Sequence, residues 1–116
     1  MSESCLFCKI LKNEITSKKA FENEKVYAFH DIHPQAKTHI LFIHRNHTKD
    51  INEMSSDTQS IADIFQAIAQ FTAESELALN GFRVVTNTGA HAGQTVFHTH
   101  FHLLGGGPLG QFGQRS

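Results

Sequence analysis

The alternation of apolar and polar positions divides the chain into a few clear elements. Leu6, Phe7, Ile10 and Leu11 recur at helical spacing, which predicts a short amphipathic helix over residues 5–13. Ala20-Phe21-Glu22 predicts a brief strand, turned at Asn23-Glu24 into a second strand, Lys25 to His30. His33-Pro34-Gln35-Ala36 ends that strand, because Pro34 disfavours helix in the residue before it and has no N–H for a ladder. Thr38 to His44 is the next strand, with His39, Leu41 and Ile43 on one face. After Met54, the cluster Ser55-Ser56-Asp57 offers N-caps. Ile61, Ile64, Phe65, Ile68 and Thr72 then trace one face of a long helix that Asn80-Gly81 stops. Phe82 to Thr86 reads as a strand, Asn87 to Gly93 as a glycine-containing loop, and Val96 to Leu104 as a last strand. The glycine-rich remainder, residues 105–116, reads as irregular. The expectation is one α+β domain over residues 1–116, an antiparallel sheet covered by one long and one short helix.

The last strand carries the chemistry. His98-Thr99-His100-Phe101-His102 sets three imidazoles on alternate residues, hence on one strand face about 6.6 Å apart. Phe97, Thr99, Phe101 and Leu103 then point the other way, toward the core. A lone buried histidine is ordinarily a structural residue. Three on one face would leave up to six ring nitrogens for a core to pair, so the row marks a site. Imidazoles so placed can exchange protons near neutral pH, attack phosphorus or bind a metal. The loop before them favours phosphate: Gly89, Gly93, Gln94 and Thr95 bring backbone N–H groups and short donors beside the row, and Asn87 adds another.

Composition narrows the field further. With 116 residues, 40% hydrophobic and 18% charged, the chain suits one soluble globular domain. A net charge of -1 gives no general attraction to nucleic acid or membrane surfaces. The longest aliphatic and aromatic run, Ile40 to Ile43, is far too short to span a bilayer, and Met1-Ser2-Glu3-Ser4 opens no targeting signal, so a cytoplasmic location is expected. The nine histidines fall into two groups: His30, His33, His39, His44 and His47, then His91, His98, His100 and His102.

Val96-Phe97-His98-Thr99-His100-Phe101-His102-Leu103-Leu104 resembles the His-φ-His-φ-His-φ-φ motif of the histidine triad (HIT) superfamily, with Thr99 less apolar than the usual residue there. Within it the chain is similar to the Hint branch, the histidine triad nucleotide-binding proteins, over nearly its whole length. The matching segments are Leu6 to Ile10, Phe29 to His39, Gly93 to Val96, and Leu104 to Gly110. The last favours Hint over the Fhit-like dinucleoside polyphosphate hydrolases, and His102 argues against the uridylyltransferase branch, which has glutamine there.

The resemblance implies a five-stranded antiparallel sheet that dimerises into a larger continuous one, with C-terminal tails reaching toward the partner's site. It implies hydrolysis of purine nucleoside 5′-phosphoramidates, such as adenosine 5′-monophosphoramidate, or of acyl-adenylates, with no cofactor required for the chemistry. His100 would attack the α-phosphorus through one ring nitrogen while a strand carbonyl orients the other. His102 would bind phosphate oxygens, and it or Thr95 would assist departure of the amine. By the same match Asp31 accepts from the ribose hydroxyls, Phe7, Ile10, Phe29 and Ile32 form a slot for the base, and His39 supports the triad from behind. The competing readings are a dinucleoside polyphosphate hydrolase and a non-catalytic module that binds nucleotide or zinc.

Cys5 and Cys8, the only cysteines, exclude a disulfide framework. They lack the βαβ context of a thioredoxin-type pair, and their distance from any histidine pair excludes a zinc finger. The resemblance implies a structural zinc ion held by Cys5, Cys8, His47 and His98, leaving His100 and His102 for chemistry. Gly105-Gly106-Gly107-Pro108-Leu109-Gly110 matches a dinucleotide fingerprint letter for letter. With a proline inside and no helix after it, it is rejected as one.

Overall fold

The computed structural model describes residues 4–111. Five strands, β1 (Lys19–Glu22), β2 (Val26–His30), β3 (Thr38–His44), β4 (Phe82–Val85) and β5 (His100–Gly105), form one sheet in the order β1-β2-β3-β5-β4. Every neighbouring pair is antiparallel, which bears out the α+β reading and its strand count. The helices are α1 (Leu6–Leu11), α2 (Ile51–Met54), α3 (Thr58–Ala73) and α4 (Leu77–Asn80).

Strand alternation splits the core in two. Val26, Ala28, Ile40, Phe42, Phe101 and Leu103 face α3 and pack with Met54, Ile64, Ala67, Ile68 and Leu77. On the other side, Phe29, Leu41 and Ile43 pack with Cys5, Phe7 and Ile10 of the α1 region. The register pairs Ile43 with His100 and Leu41 with both Phe29 and His102, so the two histidines stand on the α1 face.

Four details depart from the sequence reading. The last strand begins at His100, not Val96. Upstream, Thr99 N–H donates to the Thr48 carbonyl and the Thr48 and Thr99 hydroxyls meet at 2.7 Å, so side chains and turns replace a ladder. Phe97, expected in the core, is 52% exposed as a result. The long helix ends at Ala73 rather than running to Asn80. There the Thr72 hydroxyl bonds back to the Ile68 carbonyl and Leu77 N–H donates to the Ser75 hydroxyl, so side chains compete with the helical pattern. A separate turn, α4, then closes at Gly81, whose φ of 112° suits glycine. Phe65, assigned to the buried face, meets Phe101 edge-on but stays 55% exposed. One-turn α2, capped by Asp50, lacks the length to show as a period. Among the described residues, no helix is long and apolar enough to cross a membrane.

The Gly105 to Gly110 segment runs on without a helix, and Arg83 Nη2 donates to the Gly110 carbonyl at 2.7 Å. Gly106 has φ of 87°, and a Cβ there would lie 2.8 Å from Thr38 Oγ1, so the segment needs glycine for its path rather than for a ligand. The expectation about the tail, Gln111 to Ser116, falls almost wholly outside the described residues.

Candidate active site and thiol–imidazole cluster

The three histidines of the row do three different things. His98 lies just before β5 and is almost fully buried. Its Nε2–H donates to the His44 carbonyl at 2.9 Å, so Nδ1 carries the lone pair. That Nδ1 lies 3.4 Å from Cys5 Sγ and 3.6 Å from Cys8 Sγ. His100 Nδ1–H donates to the His98 carbonyl at 2.7 Å, which leaves its Nε2 unprotonated in the neutral ring.

His102 is set by a chain of donors. Gln35 N–H donates to His39 Nδ1 at 3.0 Å, so the proton of neutral His39 sits on Nε2. That N–H donates to His102 Nδ1 at 2.8 Å, which places the His102 proton on Nε2. The site thus holds a ring with a free lone pair, His100, beside a ring with a free N–H, His102, at 5.2 Å between ring centroids. Asp31, His39 and His102 also lie close enough together to suggest a cation site. The Gln35 N–H argues against it, because it occupies His39 Nδ1 and so keeps the proton on the nitrogen a metal would need.

Burial keeps the imidazoles neutral. Desolvation is the main cause in each case: it lowers His98 and His102 from 6.5 to about 4, and it moves His100 and His39 downward as well. The neighbouring imidazoles add to the effect at His102, and Asp31 opposes it. A neutral ring is the form that can attack phosphorus.

A cavity of about 500 Å³, within the range of nucleotide-sized ligands, opens at Phe7 and His39, the neighbours of His100 and His102, while those two rings are not among its lining residues. Phe7, Ile10, Phe29, Asp31, Ile32 and His39 all line it. Phe7 stands edge-on to both Phe29 and His100, at 5.4 and 5.0 Å, and so joins the apolar wall to His100. Ile32 is 85% exposed at the rim. Asp31 Oδ1 accepts from His33 N–H, and Oδ2 lies 3.4 Å from His39 Nε2. Sequence reasoning missed Ile15, Ser17, Lys18 and Lys37, which also line the cavity. They come from the loops flanking β1 and preceding β3, where no periodicity signals a site.

The loop residues divide. Gly93 takes the left-handed conformation, φ 86°, that ends the 3₁₀ turn Ala90–Ala92. The buried Gln94 amide is spent inside the loop: Oε1 accepts from Gly89 N–H, and Nε2 donates to the Lys49 and Val96 carbonyls. Asn87 lies half-buried just past β4, two residues beyond Val85, the partner of His102. Thr95 lines a different cleft, with Cys5 and His47, and is not among the residues lining the larger cavity.

Cys5, Cys8, His47 and His98 bring four donor atoms within 4.8 Å of one another. Cys8 Sγ lies 3.1 Å from His47 Nδ1, beside its 3.6 Å approach to His98. A tetrahedral zinc ion with ordinary bond lengths spaces sulfur and nitrogen ligands about 3.5 Å apart, so the donor set and spacing fit that ion. Burial and the adjacent Cys5 push the Cys8 thiol up to about 11. The histidine run nominates His98, but sequence distance hides its closure with Cys5 and Cys8.

Comparison with known proteins finds relatives over nearly the whole chain. The model of the HIT domain matches residues 12–109. The chain is 40% identical to the purine nucleoside phosphoramidase of Escherichia coli K12 over 111 residues, 95% of this chain and 93% of that protein. Among solved structures, a HIT family hydrolase from Clostridium thermocellum is 41% identical with a TM-score of 0.91, covering 98% of this chain and all of the other. A histidine triad nucleotide-binding protein from Candida albicans is 35% identical with a TM-score of 0.78, covering 96% of this chain and 87% of the other.

Proposed function

The chain belongs to the HIT domain family, and from that premise we propose that it hydrolyses purine nucleoside 5′-phosphoramidates through a nucleotidyl-histidine intermediate. The observation that carries this reading is the tautomer pair: His100 with Nδ1 committed to the His98 carbonyl, and His102 with Nδ1 committed to His39. His100 Nε2 attacks the α-phosphorus, a P–N bond to the imidazole forms, and the substrate P–N bond breaks. The His102 Nε2–H hydrogen-bonds the phosphate oxygens, and the departing amine takes its proton from solvent water. Water then attacks phosphorus, releases His100 and leaves the nucleoside monophosphate. The base lies between Phe7, Ile10, Phe29 and Ile32, and Asp31 accepts from the ribose hydroxyls, in keeping with the cavity they line. The 40% identity to a purine nucleoside phosphoramidase supports this substrate class.

Cys5, Cys8, His47 and His98 would hold a structural zinc ion that braces the N-terminal helix against the triad, with no part in P–N cleavage. The second copy of a homodimer would pair along β4, the sheet edge that exposes Phe82 and Val84 at 39% and 38%. Elemental analysis showing one zinc per chain and sedimentation at twice the chain mass are the expected results. Metal-free, fully folded protein or a stable monomer would overturn the respective statement.

The deciding experiment is ³¹P NMR of adenosine 5′-monophosphoramidate and, separately, of diadenosine tetraphosphate, each with purified protein. Conversion of the first to AMP while the second persists is the expected result. Cleavage of the second alone replaces the proposal with the Fhit-like activity. Turnover of neither reduces the protein to a nucleotide-binding module.

A further inference from the structure

The thiol–imidazole cluster and the nucleophile share a residue. The His98 ring faces Cys5 and Cys8 through Nδ1, and the carbonyl of the same residue accepts the proton that fixes His100. A second link runs through α1. Phe7 sits between the two cysteines in sequence, and its ring stands 5.9 Å from that of His98 and 5.0 Å from that of His100, in the wall of the nucleotide cavity. The cluster is also reachable from outside that cavity. A separate cleft of about 250 Å³ is lined by Ser4, Cys5, Leu6, His47, Thr95 and Val96, among others. The two sulfurs lie within 4.8 Å of each other, and Cys8 N–H already donates to Cys5 Sγ at 3.3 Å.

We propose that Cys5 and Cys8 are a reversible oxidation site through which a hydroperoxide switches the nucleophile off. The proposal rests on the assignment of His100 as nucleophile made above. One thiolate attacks the distal oxygen of the peroxide, the O–O bond breaks, and a sulfenic acid and an alkoxide (or hydroxide) form. The other thiolate attacks that sulfur, the S–S bond forms and hydroxide leaves. The two sulfurs lose two electrons in all, and the peroxide oxygens gain them. Two protons from solvent complete the alcohol or water. A disulfide removes two of the four donors that could hold a metal there and tightens the Cys5–Cys8 turn that carries Phe7. Phe7 moves with that turn and changes its edge-on contact with the His100 ring, while the His98 carbonyl stays held by the bond of its own peptide, Thr99 N–H to the Thr48 carbonyl.

The test uses the full chain, zinc-loaded and labelled with ¹⁵N histidine, before and after hydrogen peroxide and again after a dithiol reductant. Mass spectrometry follows the loss of two hydrogens, long-range ¹H–¹⁵N NMR follows the His100 ring signals, and AMP-phosphoramidate turnover is measured in parallel. The expected result is disulfide formation, a shift of the His100 ring signals, and a fall in turnover of roughly tenfold or more. All three should reverse with reductant. The Cys5→Ala/Cys8→Ala variant should give the same His100 spectrum and turnover with and without peroxide. If that variant does not fold, Cys8→Ser serves in its place. A disulfide that leaves the His100 signals unchanged overturns the proposal, as does an equal peroxide loss in the variant. A chain inactive before oxidation refutes the catalytic reading alone, and the NMR then decides the switch by itself.

Discussion

The two faces of the sheet are built from the same strands but stabilised by unlike means. Toward α3, Ile40, Phe42, Phe101 and Leu103 are closely packed hydrocarbon with almost nothing exposed. Toward α1, the neighbouring positions Leu41, Ile43, His100 and His102 bring polar rings into burial, and each ring is kept by named hydrogen bonds. A one-residue step along β5 thus changes a packing residue into a chemical one. The lesson is that the apolar face supplies the folding energy which lets the other face hold desolvated, neutral imidazoles.

Substitutions on each face should separate these roles. The largest effect is expected from His100→Ala, which should cut phosphoramidate turnover by at least about 10³-fold while AMP binding, followed by calorimetry, persists. Unchanged turnover would end the nucleophile assignment. One residue away in space but on the opposite face, Phe42→Ala should cost about 3–5 kcal/mol of stability in urea melts, and kcat of the folded fraction should hold. His39→Ala should lower kcat about 10–100-fold with a small change in stability, because it frees His102 to take the wrong tautomer. His39→Gln, whose amide can still donate, should recover part of the loss, and equal losses in both variants would disprove the donor chain.

The smallest expected effect is that of pH. His102 has its value lowered from 6.5 to about 4 on folding, so the unfolded chain takes up its proton first as pH falls. Stability from this group is therefore complete above pH 6.5 and is lost between there and pH 4. On this basis His102 alone should cost about 1–2 kcal/mol between pH 7 and pH 5 in urea melts, and His102→Phe should flatten that slope. The downward shift of His100 also sets the acid limb of kcat/KM below pH 6.5. A limb above that value would contradict the neutral-nucleophile picture.

Much of this arrangement was legible in the residues themselves. Strand alternation set His100 and His102 against Phe101 and Leu103, and β3 was read with its observed bounds, because an unbroken apolar run between Pro34 and the polar stretch after His44 leaves no other choice. The errors fell where side chains, not periodicity, decide backbone paths: the Thr48–Thr99 contact that ends β5 early, and the Thr72 and Ser75 bonds that cut α3 short. The Asp31, Phe7, Phe29 and His39 positions came from a family resemblance. From periodicity alone they read as ordinary core.

By itself, then, the sequence determined the class of fold, which strand face is apolar, and that three imidazoles share one short segment, since these follow from local alternation and need no partner. Only the tertiary structure decided what each imidazole is for. A tautomer is set by the group that meets a ring nitrogen: the His98 carbonyl for His100, His39 for His102, and the His44 carbonyl for His98. The contacts of His102 and His98 join β3 to β5 and the segment before it, and no window of neighbouring residues contains them.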